Sequence, residues 1–239
     1  MGAGLAVAQL LSAVAFLLVA RSESPAKFGT TVALVAVASV ASMLFDFGSN
    51  AYVVRELARK TMSRQEAVGR ILCKILISML LAGVAIASIS GFETGLSISL
   101  DQAILVGLLF TVNVASQSSL VFLRSAGRGR ALGGIAVVDK ATLVIVVALA
   151  TAGTKGNALF VGMAAGGGLT VLLSIFATRS NSNRGQHWSF RQLTSPWRGC
   201  HFFGLARLAV PLASMDTILL LARSGPAAAG LYGGVARWT

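Results

Sequence analysis

Ser39, Ser42, Asp46, Ser49 and Asn50 recur at spacings of three and four, so on a helix they fall close to one stripe. Around them lies the run FGTTVALVAVASVASMLFDFGSNAYVVRELAR, Phe28 to Arg59, whose first part is apolar and long enough to cross a bilayer. A polar stripe on such a helix faces protein or water, because lipid offers polar groups no partner. Two readings stay open. Asp46 either sits near cytoplasmic water on a helix packed through small Ser and Gly faces, or it is a functional intramembrane carboxylate. Asn113, Ser116, Gln117 and Arg124 share one face of a later apolar run, as a cavity lining or as hydrogen-bond glue between helices. Asp139 and Lys140 are adjacent opposite charges within another run. Helical neighbours point about 100° apart, so one is expected to serve a cavity while the other finds a partner on another span. A structural ion pair with another span is the alternative. Asp216 lies mid-depth in a further run, beyond Pro211, where a proline frees backbone groups. Gln9 and Ser12 give the first run a weaker polar face. Arg55 and Arg59 read first as a topology anchor and second as capture of a headgroup or diphosphate.

Other chemistry lacks its residues. His187 and His201 share a polar segment without metal-ligand spacing, and GRGRALGG (Gly127 to Gly134) lacks the Gly-Lys-Ser/Thr ending of a phosphate loop. Cys73 and Cys200 are far apart and read as reduced thiols. No metal, no nucleotide cofactor and no enzymatic centre are expected. The net charge of +12 would suit nucleic acid only as a basic face on a folded domain. Here the bases sit between apolar runs, so nucleic acid is not an expected partner.

The elements that must position these residues are membrane helices. The chain is 55% hydrophobic and 12% charged with mean hydropathy +0.79, against roughly 25% charged in ordinary globular chains. The fold class expected is all-α, a polytopic membrane protein. Spans are predicted at Gly2–Ala20, the Phe28 stretch, Ile71–Ile89, Ala103–Leu123, Leu132–Thr151, Asn157–Ala177 and Phe203–Ala222, and an eighth begins after Pro226. The first lacks the basic start and short apolar core of a signal peptide. Bases cluster after spans two, four and six, at Arg55 to Arg70, Arg124 to Arg130 and Arg179 to Arg198. The positive-inside rule then places those connections and the N-terminus in the cytoplasm, and the chain in the cell membrane. The amphipathic middle of the last connection (His187, Trp188, Phe190, Arg191, Trp197) suits the inner membrane surface.

The first span ends ARSESPAKFG and the seventh ARSGPAAAG, each between two apolar runs. Such an internal match across six spans implies two copies in one orientation, related by an axis along the membrane normal. The expected organisation is a six-helix lobe over 1–177, a basic amphipathic linker over 178–202, and the start of a second lobe over 203–239. As written, the chain stops inside the eighth span, so the expectation is a fragment, a truncated product, or a lobe completed by a partner.

SPAKFG at Ser24 to Gly29 and DFGSNAYVVRELAR at Asp46 to Arg59 resemble the polysaccharide and oligosaccharide flippases of the multidrug/oligosaccharidyl-lipid/polysaccharide exporter superfamily. RLAVPLASMDTILL from Arg207 and GPAAAGLYGGVAR from Gly225 resemble the start of that family's second lobe. The resemblance implies two six-helix bundles and alternating access. It also implies export of an undecaprenyl-diphosphate-linked oligosaccharide, a coupling ion (H⁺ or Na⁺) on Asp46, Asp139 or Asp216, and association with polysaccharide-assembly membrane proteins. Asp46, Asn50, Arg55, Asn113, Gln117, Asp139, Lys140 and Asp216 are the cavity candidates. A drug antiporter of the same architecture is the alternative; it would favour carboxylates and aromatics over cations. A membrane polymerase or glycosyltransferase would need larger outer loops than these.

Overall fold

The computed structural model describes residues 2–91, 99–151, 157–179, 196–207 and 223–225. The described residues form helices and turns, with no strand among them. The helices are α1 (Gly2–Ser22), α2 (Pro25–Asp46), α3 (Ser49–Ala58), α4 (Arg64–Gly91), α5 (Leu100–Ser119), α6 (Val121–Ser125), α7 (Gly129–Thr151), α8 (Ala158–Arg179) and α9 (His201–Arg207). Among the described residues, six segments are long and apolar enough to cross a membrane: Gly2–Ser22, Pro25–Asp46, Arg64–Ser88, Leu100–Ser125, Gly129–Ala150 and Ala158–Thr178. The chain is a multi-pass, all-α membrane protein. The seventh predicted span is described only as α9, and Asp216, Pro211, the second repeat copy beyond Gly225 and the linker's His187, Trp188, Phe190 and Arg191 lie outside the described residues.

Local sequence sets the helix ends. Pro25 opens α2, where its missing N–H costs nothing. Ser63 accepts a hydrogen bond from the Glu66 amide (3.1 Å) at the start of α4, and Ser99 and Gln102 form a reciprocal capping box on α5. The tight turn RSAGRGR ends α6 on Gly127, at φ 65°. The Gly127 amide donates to the Arg124 carbonyl and the Arg128 amide to that of Leu123. This is the Schellman arrangement, which needs a residue free to enter the left-handed region.

In the centre, α8 packs between α7 and α5, with α1 against α7 and α2 against α5. Gly166 and Gly167 permit this: a Cβ on Gly166 would strike Asp139, and one on Gly167 would strike Val112. Close backbone approach through small residues is how helices associate where burial from water gives no driving force. Phe16, Val35, Leu109, Leu143 and Phe160 fill the space between. Leu80, Leu149 and Phe176 point outward, as lipid-facing residues must.

The second predicted span is not one continuous helix. Phe47 (φ 39°) and Gly48 (φ 71°) both enter the left-handed region and split it into α2 and α3. For a bulky residue such as Phe47 that conformation is disfavoured, so surrounding contacts must hold it. Gly48 lies so close to Phe203 that a Cβ would overlap its backbone, and a Cβ on Gly204 would overlap the Phe47 ring. The Trp197 indole N–H donates to the Phe45 carbonyl at 2.9 Å, and Arg70 Nη1 donates to the Arg198 carbonyl at 3.0 Å. Residues 196–207 thus dock on the break. Trp197 is a hydrogen-bonded part of this contact, because the break leaves the Phe45 carbonyl without its helical partner.

Candidate functional site

The break in α2 carries the polar stripe to a cavity of about 500 Å³. Ser39, Ser42 and Asp46 reach it from α2, Asn50 from α3, Lys74 from α4, Asn113 and Gln117 from α5, and Arg124 from α6. Ser39 and Ser42 donate their hydroxyls back to the Val35 and Ser39 carbonyls, each at 2.8 Å. Such back-bonding satisfies the proton inside the helix and leaves the oxygen as an acceptor. Three amides, two hydroxyl oxygens, one carboxylate and two cations therefore line one hollow. That is a surface for hydroxylated and anionic groups, since amides donate and accept while Lys and Arg only donate.

Lys74 is the residue that sequence reading missed. It is 1% exposed and forms an ion pair with Asp46. It also donates to Asn50 Oδ1 at 2.9 Å and Ser49 Oγ at 3.1 Å. Asp46 in turn accepts from the Asn50 amide at 3.2 Å. A buried ammonium is tolerated only where oxygens replace its water shell, and here three residues of the break supply them. The available signal was its position. Lys74 lies about 15 Å into α4 from Arg64, at 1.5 Å per residue, too deep for a topology anchor.

A second cavity of about 350 Å³ opens between α1, α5, α7 and α8. Gln9, Ser12, Asp139, Lys140 and Thr170 line it, and Gln117 and Arg124 belong to both hollows. Arg124 Nη2 donates to Gln117 Oε1 at 2.9 Å, so this pair is a shared wall. Asp139 and Lys140 do not separate to different surroundings as expected. The flexible lysine chain folds back, placing Nζ 2.9 Å from Asp139 Oδ2, with both side chains partly exposed (30% and 21% for lysine and aspartate). The backbone directions diverge, but four methylenes span the gap.

Of the predicted candidates, Asp46, Asn50, Asn113 and Gln117 meet in the first cavity and Asp139 and Lys140 in the second, which Gln117 joins to the first. Arg55 lines neither. It is exposed on α3, 3.8 Å from Glu56, with its guanidinium 5.6 Å over the Phe203 ring. The amphipathic turn of α3 carries it onto the docked 196–207 segment instead. Beside that contact Cys200 is fully buried. Burial pushes its thiol above the ordinary value, with Arg70 acting the other way, which disfavours the thiolate form.

No group of three or more His, Cys, Asp or Glu fit to hold a metal occurs among the described residues. No curated protein and no solved structure matches the chain. The model of the family described as polysaccharide biosynthesis protein matches residues 3–239. Members of that family are transporters rather than enzymes, in keeping with membrane helices that enclose polar hollows. The chain belongs to the polysaccharide biosynthesis protein family, the flippase family that its motifs resemble.

Proposed function

We propose that this protein flips a polyprenyl-diphosphate-linked oligosaccharide across the cytoplasmic membrane by alternating access, with the N-terminus and the basic connections inside. The observation that carries the reading is the pair of polar hollows joined at Gln117 and Arg124 within an otherwise apolar bundle. Sugar hydroxyls suit Asn50, Asn113 and Gln117, and the diphosphate suits Arg124, whose planar fork matches phosphate oxygens. The break at Phe47–Gly48 is the hinge. It holds Asp46 and Lys74 on the cavity side and the 196–207 segment on the other, so motion of the second lobe bears directly on the cavity. Residues 1–177 act as the first lobe, 178–202 as the connection and 203–239 as the opening of the second. Asp139 is the carboxylate that exchanges the coupling ion, H⁺ or Na⁺, because its lysine partner is partly exposed and easily displaced. A cation antiporter is disfavoured by the first cavity, where two cations face one carboxylate.

The test is translocation of a fluorescent lipid-linked oligosaccharide in proteoliposomes carrying the intact protein. Movement above protein-free vesicles, reduced at least ten-fold by Arg124→Ala with the fold preserved, supports the reading. Background-level movement together with export of an organic cation would replace it by the antiporter.

A further inference from the structure

We infer that a pocket separate from both hollows binds the phosphodiester headgroup of an anionic phospholipid. It lies where the start of α4, the α6–α7 turn and the end of α8 meet, so the first two basic connections come together at the end of the sixth span. Its volume is about 260 Å³, with Arg64 and Arg128 beside Leu57, Phe122, Leu123 and Thr178. Arg64 is the first residue of α4 and Arg128 follows the Gly127 turn, so both are held by their local helix ends. Arg64 Nη2 donates to the Thr178 carbonyl at 2.9 Å, and Arg128 Nη1 donates to the Ala177 carbonyl at 2.7 Å. The Arg64 guanidinium also lies 5.4 Å over the Phe122 ring.

Each guanidinium has five N–H donors, and α8 takes one from each. Among the described residues no carboxylate comes within ion-pair distance of either arginine. The end of α8 contributes roughly half a negative charge, which leaves most of the two positive charges unanswered. The helix end therefore orients the arginines without neutralising them, and the cost of ordering them is met before any ligand arrives. A phosphate oxygen supplies the missing acceptors. The apolar wall of Leu57, Phe122 and Leu123, two of them partly and one fully buried, selects a phosphate that carries hydrocarbon over a free anion. The pocket's level at the ends of three spans is where bilayer headgroups lie.

The experiment is native mass spectrometry of the intact protein from nanodiscs of phosphatidylcholine with phosphatidylglycerol, scoring phosphatidylglycerol retained through delipidation. Retention of one phosphatidylglycerol is expected, reduced about five-fold by Arg128→Gln, the weight of one cation near an anionic membrane. Ser125 also lines the pocket. Ser125→Glu keeps both arginines and their hold on α8, so it decides the matter should an arginine variant misfold. It is expected to abolish retention, whereas Ser125→Gln preserves it. Retention unchanged in Ser125→Glu overturns the proposal. Displacement of the lipid by 10-fold excess inorganic phosphate overturns the assignment to a lipid and makes the site one for the free anion.

Discussion

Asp46 and Lys74 meet across 28 positions of chain from two different spans, whereas Asp139 and Lys140 are neighbours on α7. Lys74 is 1% exposed at its side chain and Lys140 30%. The first lysine has two further oxygen acceptors and fixes a broken helix; the second reaches one carboxylate at the edge of a cavity. Identical functional groups thus take opposite roles according to burial. A buried pair cannot lose one member without stranding a charge, while a partly exposed pair holds loosely and lets its carboxylate take another partner.

The largest way to break this comparison is to remove one member of each pair. Lys74→Met is expected to destabilise the protein by about 3–5 kcal/mol in thermal unfolding, and Lys140→Met by no more than about 1 kcal/mol. Adding Asp46→Asn to Lys74→Met should recover a large part of the loss, since the stranded charge is gone. Equal effects of the two lysine substitutions would dissolve the distinction.

The second prediction concerns what the buried pair holds. Gly48→Ala forces a side chain into the Phe203 backbone at a left-handed position, and should cost about 1–3 kcal/mol. It should also loosen the docked segment, seen as faster modification of the buried Cys200 thiol in the folded protein. Gly83→Ala, where a Cβ meets nothing within 4 Å, is the matched control and should leave Cys200 protected.

A third prediction sharpens the role of the exposed pair. Asp139→Asn should keep stability within about 1 kcal/mol yet remove the dependence of transport on a proton or Na⁺ gradient. Retained gradient dependence would move the coupling site elsewhere.

The smallest effect concerns Glu23, between the first two helices, which feels the charge of Lys27 on α2. Burial raises the Glu23 carboxyl above its ordinary 4.5, and Lys27 lowers it less; Glu23 Oε2 is buried without a hydrogen-bond partner among the described residues. A raised folded value means the native state holds this proton more tightly than the unfolded chain. Stability from it is therefore present at low pH and declines as pH rises through 4.5 and the raised value. Glu23→Gln should raise the melting temperature slightly at pH 7 and leave it unchanged near pH 4.

Much of this arrangement was legible in the sequence. Apolar runs near 20 residues mark the spans because the bilayer fixes their length. The stripe from Ser39 to Asn50 and the Asn113–Arg124 face converge because lipid rejects polar groups. What stayed hidden depends on partners distant in sequence. Lys74 looks like part of an apolar span until Asp46, Ser49 and Asn50 are brought beside it. The break at Phe47–Gly48 has no proline to announce it, and the contacts that hold it, Lys74 on one side and Phe203 and Gly204 on the other, come from distant sequence. The Asp139–Lys140 contact does not follow from backbone directions, which diverge, because the lysine's four methylenes bridge them.

The wall shared by the two hollows gives the most direct test. With Cys73 and Cys200 replaced by alanine, a single cysteine at Gln117 is exposed to a membrane-impermeant thiol reagent, with and without lipid-linked oligosaccharide. A water-filled substrate route predicts rapid modification that the oligosaccharide slows at least several-fold. No modification, or modification indifferent to the oligosaccharide, would contradict it.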